Sequence, residues 1–542
     1  MMQCVDQKII CKDFARREFD LAFVGAGLST TMTLIHYLSK KLNSRHDASN
    51  SPEKIIILEK SSDFFTGVAY GQRSGHSSLI INSLADFLPS EEVDGFKDWL
   101  IENIDTVFIP FLMGGDEFSK QWHAKHYDSI LNGDIGSIYI PRYVFGEYLK
   151  HRAYDVISKA EQQGGTEVSF VQAAVSDITT EGRGEKFVIE AEQEHDTQNI
   201  YCKAVVLGVG SPPVNAIDGD NNTGTNGYFG NPFDPGMGYT ISKIGDRLKK
   251  QTSNNVLIVG SNASALDVIV NLTASCELRD RINSITVMSP SGVLPELYLE
   301  SEESNKYKTV LLDELINKPN TTAAEILEQA KAEIALARSE GFTIAMSLGS
   351  ISTTVFKIVQ TLDAEQKSVF VNSVGRSIGN VQRRAGIDYF NMVEPLVACG
   401  KLDTLSGRFN SLDIKDNSYE VRYFDEQDTI CELKNLQVVI NCTGASTLPT
   451  QANNTFLDNL FASGLCEVNG SEIGISVNSD FQTKTKSMYV IGPLLAGNTI
   501  DGQIVWHIEH CGRISVAAEK LAGILIERKA ASTEIELMEE VV

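Results

Sequence analysis

One run of elements occurs twice in this chain, in the same order, and few folds accommodate it. Residues 19–27 read FDLAFVGAG, a short apolar strand that runs into glycines. Residues 255–260 read NVLIVG, and the SNASALDVIVNL that follows has the apolar spacing of a helix. A second apolar strand comes next in each case, KIIILEK at 54–60 and SITVMSP at 284–290. Each unit later ends in strand-like segments and a closing strand that meets glycine. The first has KFVIEAEQ, then AVVLGVG at 204–210; the second has YEVRYFDEQ, then LQVVINCTG at 436–444. Strand, glycine turn, helix, strand, meander and closing strand is the plan of a dinucleotide-binding module. The predicted fold is α/β: two Rossmann-like dinucleotide-binding domains, the second inserted into the first, each with a β-meander, plus a helical insertion.

At 542 residues the chain exceeds what one core organises. MYVIGP and then IVWHIEHCGRISVAAEKLAGILIERK read as a strand, a loop and a long helix that return to the first module. The first domain is therefore expected to be discontinuous, 1–230 and 445–542, with 231–444 as the second. Within the second, TAAEILEQAKAEIALARSEG has three- and four-residue apolar spacing and marks a helical insertion over 300–400.

The formal charge of −24 repels phosphate backbones and anionic membranes, and no basic patch offsets it. No nucleic-acid or membrane partner is expected, and the substrate is expected to be a small molecule. Nine cysteines are scattered without CxxC or zinc spacing, which suits a reducing, cytoplasmic setting. The N-terminal stretch has no long apolar core of a signal peptide.

Gly25-Ala26-Gly27-Leu28-Ser29-Thr30 follows a strand and opens a helix, the context that makes GxGxxG informative. Gly25 permits the tight turn and Gly27 lets the backbone approach a pyrophosphate at the helix N-terminus. Thr30 stands where the third glycine would govern helix–strand packing. Glu59, followed by Lys60, ends the next strand and is placed to accept hydrogen bonds from an adenosine ribose. Gly208 and Gly210 close the first module, and Gly444 closes the second. The second turn, Gly260-Ser261-Asn262-Ala263-Ser264, keeps one glycine and uses small residues elsewhere. Its ribose-side segment, Met288-Ser289-Pro290-Ser291-Gly292, has no arginine to favour a 2′-phosphate. NADH, NADPH or an empty second module all remain open at this point.

Gly67-Val68-Ala69-Tyr70, INSLADFLPS at 81–90, FKDWL, Ile140-Pro141-Arg142 through Leu149, NPFDP at 231–235, GSNASALD at 260–267, SPSGVLP at 289–295 and IGPLLAG at 491–497 occur in that order. Together they resemble the bacterial FAD/NAD(P)-binding family of YdhS-type two-dinucleotide-domain flavoproteins, distantly similar to N-hydroxylating flavin monooxygenases. The resemblance implies FAD in the first module and NADH or NADPH in the second. It implies an oxidoreductase whose flavin is reduced by NAD(P)H and which hydroxylates a small amine. A flavin oxidase or dehydrogenase without nicotinamide, and a non-catalytic FAD-binding sensor, stand as alternatives. By the same resemblance Ala69, Tyr70, Asn82 and Ser83 face the flavin, and Arg142 stabilises its reduced anion. Val175 holds the adenine through its backbone, and Gly492, Pro493 and Asn498 form the C-terminal flavin loop. Asn82 and Arg142 are the candidates for direct participation in the chemistry. Two positions depart from the monooxygenase pattern: GYFGNPFDPGM has no histidine, and the second glycine turn is depleted. His123, His126, His507 and His510 are expected to be structural. Arg376, Arg383 and Arg384 read as a solvated face or an anion clamp.

Overall fold

The computed structural model describes residues 17–43, 52–113, 116–182, 186–193, 196–217, 227–249, 253–297, 306–381, 384–415, 417–448, 455–506 and 511–540. The chain divides into two compact units. One comprises Met1–Gly67, Gly146–Pro213 and Thr447–Val542; the other comprises Val68–Phe145 and Val214–Ser446.

The first unit is built on β1 (Glu18–Val24), whose Leu21, Ala22, Phe23 and Val24 are all buried. Such a continuous apolar run suits a central parallel strand covered on both faces, not an alternating edge strand. β1 pairs in parallel with β2 (Glu53–Glu59) on one side, and helix α1 (Leu28–Asn43) connects the two. β3 (Thr166–Gln172) extends the sheet beyond β2. The meander β4 (Ala174–Glu181), β5 (Lys186–Gln193) and β6 (Asp196–Leu207) is antiparallel, and β6 returns parallel to β1. The order is β3-β2-β1-β6-β5-β4, with Met488–Val490 added in parallel to the end of β6. The C-terminal helix Cys511–Glu540 packs along α1.

A buried carboxylate locks that helix pair to the sheet. Glu53, 5% exposed, accepts from Tyr37 Oη at 2.6 Å and from Lys41 Nζ at 2.6 Å. Lys529 Nζ reaches the same carboxylate at 3.1 Å, so α1, β2 and the C-terminal helix share one anion. Burial first, and then the neighbouring Lys529, lower Lys41 from the ordinary lysine value against the pull of Glu53.

The second unit repeats the plan. β7 (Asn255–Val259), α2 (Ala263–Thr273) and β8 (Ser284–Ser289) form its βαβ start. β9 (Leu402–Ser406) pairs in parallel with β8. The meander β10 (Arg408–Lys415), β11 (Ser418–Phe424) and β12 (Ile430–Leu436) forms its own antiparallel sheet. β13 (Val438–Asn441) returns beside β7, with Tyr228–Phe229 at the edge. The predicted fold class is therefore present: two Rossmann-like modules, two meanders and a helical insertion.

The insertion contains Ala323–Ser339, Ile344–Thr361 and α3 (Ile387–Ala398). Its first long helix opens on a capping box, with Thr322 Oγ1 accepting from the Glu325 amide at 3.2 Å and Glu325 Oε2 accepting from the Thr322 amide at 2.9 Å. The buried Glu333 on that helix gathers the amides of Val310 and Leu312 and the Tyr307 hydroxyl.

The expected domain boundary differs from the observed one. Residues 68–145 were assigned to the first domain, yet Val68–Phe145 packs with the second unit, as do 214–230. Asn271 Nδ2 donates to Ser78 Oγ at 3.0 Å, and a Cβ on Gly75 would sit 2.7 Å from Asn271 Oδ1. These polar contacts leave no trace in hydrophobic periodicity. Among the described residues no helix is long and apolar enough to cross a membrane, and no cluster of His, Cys, Asp and Glu could hold a metal ion.

Replacing Glu53 by Ala should cost roughly 3 kcal/mol, because it strands two lysine ammonium groups at the buried start of an interior strand. Breaking the exposed Lys159–Asp155 pair should cost under about 1 kcal/mol. Urea unfolding followed by circular dichroism compares the two; equal losses would contradict the role given to Glu53.

Candidate functional site

At the end of β1 the Gly25 amide donates to the Leu58 carbonyl at 2.8 Å, and Gly25 has φ +89°. A Cβ there would lie 2.6 Å from the Gly208 carbonyl oxygen, so this turn excludes every other residue. The first helical bond runs from the Thr31 amide to the Gly27 carbonyl at 3.0 Å. The amides of Gly27, Leu28, Ser29 and Thr30 precede that ladder and form a positive helix end.

Thr30 takes the third-glycine position without loss of close packing. Its Oγ1 donates to the Gly25 carbonyl at 2.7 Å, and a Cβ on Gly208 would lie 2.1 Å from that oxygen. The small residue has moved to the facing strand end. Gly492, φ +88°, closes in from the C-terminal segment, where a Cβ would lie 2.4 Å from Ser29 Oγ. Its neighbour Pro493 opens a 3₁₀ turn.

A third approach was not foreseen. Gly67 faces Gly27, its would-be Cβ 3.0 Å from the Gly27 Cα. Two residues earlier Phe65 holds φ +74°, uncommon for a bulky side chain, while its carbonyl accepts from Thr31 Oγ1 at 2.9 Å. Edge-on packing against Phe170 and Tyr154, at 5.7 and 5.1 Å, holds the Phe65 ring in place. Thr66 between them is 1% exposed, and its hydroxyl has no partner among the described residues. The spacing of Gly67-Val68-Ala69-Tyr70 carries no sign of Gly67 opposing Gly27.

Glu59 stands beside this cradle. Its Oε2 accepts from the Ala26 amide at 2.9 Å and its Oε1 from the Ser61 amide at 3.1 Å. The Ala173 amide donates to the Glu59 carbonyl at 2.9 Å, which brings the start of β4, with half-buried Val175, to the same end of the sheet. Lys60 points to solvent. Glycine backbones facing a helix N-terminus, a carboxylate at the ribose position and an orphaned buried hydroxyl fit an adenine dinucleotide such as FAD.

The second turn repeats the same bonds. The Gly260 amide donates to the Met288 carbonyl at 2.7 Å, and a Cβ on Gly260, φ +109°, would lie 2.2 Å from the Cys442 carbonyl oxygen. Gly210 and Gly444 correspond, with φ +85° and +88° and open space where a Cβ would stand. Ser261 is buried and Ala263 and Ser264 are half-buried, while Asn262 caps α2 through its backbone position and not its side chain. By this register Ser289 occupies the place of Glu59. Its Oγ accepts from the Gly292 amide at 3.1 Å and lies 3.3 Å from Ser291 Oγ.

The remaining candidates are placed as follows. Ala69 is exposed, and Tyr70 is buried edge-on against Phe145 at 5.2 Å. Asn82 is half-buried, and Ser83 is buried at the start of a short helix. Asn498 commits its amide to the carbonyls of Ile475 and Leu495, at 2.8 and 2.9 Å, and acts as a clamp inside its own loop. Arg142 was expected to address an anionic flavin, but its guanidinium is taken up internally. Its Nη1 meets Asp267 Oδ2 at 3.0 Å and its Nε donates to the Leu79 carbonyl at 2.8 Å. Tyr389 Oη donates to Asp267 Oδ1 at 2.6 Å and accepts from the Leu79 amide at 2.7 Å, closing a four-membered ring of bonds. Burial pushes the Asp267 carboxyl up against the pull of Arg142, while burial and the Asp267 charge push the Tyr389 hydroxyl up. His126 stacks on Trp122 at 4.8 Å beside Asp388. Arg383, His507 and His510, and the Arg376 side chain, lie outside the described residues; Arg384 joins a two-residue strand.

A charged side chain at Gly27 fills the space in front of Gly67 and faces the helix end, so Gly27→Glu should abolish flavin retention, read as visible absorbance per polypeptide. Gly208→Ala should also lower flavin content, because its Cβ meets Thr30 Oγ1 at 2.1 Å. Thr30→Gly in the same chain should restore it. Failure of the second change to rescue the first would refute the transfer of the small residue across the interface.

Residues 22–212 match the FAD-NAD(P)-binding family model. An uncharacterized protein of Mycobacterium tuberculosis strain H37Rv is 28% identical over 515 residues, spanning 94% of this chain and 95% of the relative. Among solved structures, the reduced form of ornithine hydroxylase PvdA from Pseudomonas aeruginosa has a TM-score of 0.56 at 13% identity, over 94% of this chain and 99% of that one. DfoA from Erwinia amylovora, a cadaverine monooxygenase of desferrioxamine biosynthesis bound to FAD, has a TM-score of 0.53 at 13% identity, over 94% and 95% of the two chains. Residues 22–212 are thus similar to the FAD-NAD(P)-binding family, and the chain shares its fold with that ornithine hydroxylase and that cadaverine monooxygenase.

Proposed function

We propose that this protein is an FAD-dependent oxidoreductase that draws electrons from NADH or NADPH and hydroxylates the nitrogen of a small amine. The observation that carries the reading is the recurrence of one glycine turn, with the same backbone bond to the next strand, at Gly25 and Gly260. Gly25, Ala26, Gly27, Leu28, Ser29 and Thr30 hold the FAD diphosphate, with Glu59 on the ribose. Gly260, Ser261, Asn262, Ala263 and Ser264 hold the nicotinamide dinucleotide. FAD, when bound, supplies the two-electron chemistry that no side chain can. The chain's own contribution is to grip, orient and shield it. The amine substrate is inferred from the ornithine and cadaverine enzymes that share the fold. A small-molecule substrate and a cytoplasmic setting accord with the acidic composition and scattered thiols.

A second reading, a flavin oxidase without nicotinamide, is favoured by the single glycine of the second turn. Anaerobic mixing separates the two. NADH or NADPH should bleach the oxidised flavin, and admitting molecular oxygen with an amine panel should then yield hydroxylamine and water with nicotinamide consumption. Bleaching by neither, with amine-driven oxygen uptake, would install the oxidase reading instead.

Cofactor choice is tied to Ser289. Placing a carboxylate there, as Glu59 stands in the first module, repels a 2′-phosphate. Ser289→Glu should weaken NADPH binding at least about tenfold relative to NADH. An unchanged ratio of dissociation constants would remove Ser289 from the ribose site.

A further inference from the structure

The chain passes the ribose position in the same way in both modules. In the first, the Ala173 amide donates to the Glu59 carbonyl at 2.9 Å; in the second, the Gly407 amide donates to the Ser289 carbonyl at 2.9 Å. Two residues further on each meander has a bulge, between Val175 and Asp177 in β4 and between Phe409 and Ser411 in β10. Two separate backbone features thus give one register. Gly407 answers to Ala173, Arg408 to the exposed Ala174, and Phe409 to Val175. Val175 is the residue expected to hold adenine in the first module, so Phe409 marks the adenine end of the second.

In this register the modules differ in charge at two neighbouring positions. Ser289 stands for Glu59, and Arg408 stands for Ala174. A carboxylate is lost and a guanidinium gained at the same strand ends. The loop that follows Ser289 is folded against the approach to Arg408. Ser406 lies opposite Ser289 in register, and its Oγ donates to the Pro290 carbonyl at 3.1 Å. A Cβ on Gly292, φ +60°, would sit 2.7 Å from the Ser406 amide nitrogen. The hydroxyls of Ser289 and Ser291, 3.3 Å apart, are carried on that loop.

Arg408 does not serve the core. Its side chain is 57% exposed, lies over the ring of its cross-strand neighbour Phe424 at 5.4 Å, and pairs through Nη2 with Asp428. Asp428 is 77% exposed, and an ion pair so open to water is readily exchanged for another anion. Nε and Nη1 make no bond among the described residues, which leaves them for a phosphate.

We infer that Arg408 binds the 2′-phosphate of NADPH and that Ser289 leaves the ribose side uncharged, so the second module selects NADPH over NADH. The cation comes from the start of the meander and not from the 288–292 segment that carries the usual ribose contact. This rests on the nicotinamide part of the proposed function and names the nicotinamide.

The test uses full-length, FAD-loaded protein and Arg408→Ala. Calorimetry compares adenosine 2′,5′-bisphosphate with adenosine 5′-monophosphate, two probes that differ in the 2′-phosphate and need no electron transfer. Wild-type protein should bind the bisphosphate at least about tenfold more tightly, and Arg408→Ala should erase that difference. In anaerobic flavin reduction the apparent dissociation constant of the variant for NADPH should rise about tenfold, and that for NADH should move less than about twofold. Flavin content and melting temperature should stay at wild-type values. Equal binding of the two probes by wild-type protein overturns the inference, as does a variant that still prefers the bisphosphate or loses NADH affinity in parallel. Reduction of wild-type flavin by NADH in any of those cases leaves the proposed function standing. Wild-type protein that neither nicotinamide reduces overturns the proposed function, and the inference with it.

Discussion

A backbone amide at the end of a strand, held by the carbonyl of the next strand, dictates the rest of each module. Gly25 bonds to Leu58 and Gly260 to Met288, and in both the chain must turn with positive φ against the carbonyl of the returning strand. No Cβ fits, so glycine is the one residue possible there. Once the turn is made, the helix must begin over the strand ends, and its unpaired amides point where a diphosphate would lie. Every other contact of the two candidate sites is arranged around that forced geometry.

Within it the modules have diverged in complementary ways. Thr30 is large and faces Gly208; the equivalent pair in the second unit, by register, is Ala265 and Cys442. Volume has been exchanged across the interface between helix and strand, which preserves packing density while the motif changes its letters. That exchange is why a GxGxxG lacking its third glycine still closes tightly. Glu59 against Ser289 is a change of charge with no such compensation.

The twofold plan was legible in the sequence because it rests on apolar strands running into glycine, and burial on both faces of a parallel sheet writes itself as unbroken hydrophobic runs. Gly25, Gly27, Glu59 and Gly260 were legible for the same reason. Gly67 was not, since its meaning lies in facing Gly27 across a loop whose turn depends on a strained Phe65. The assignment of 68–145 to the first domain differs from the observed division, which groups Val68–Phe145 with the second unit, and the polar contacts of Ser78, Asn271 and Arg142 there have no periodicity.

Arg142 shows what residue type and neighbourhood leave unsaid. An arginine before a helix, near a supposed flavin, reads as an anion-stabilising cation. Its actual partner on α2 carries a carboxylate that also accepts from Tyr389, 122 residues further along the chain. Such a closed ring costs desolvation and contributes little to net stability, yet it permits one arrangement of four segments and no other. A fold that could have placed a methionine there, as it does by register at Met32, has accepted that cost where Leu79, Arg142 and α3 meet α2. Placement, more than stability, is what such an interaction provides.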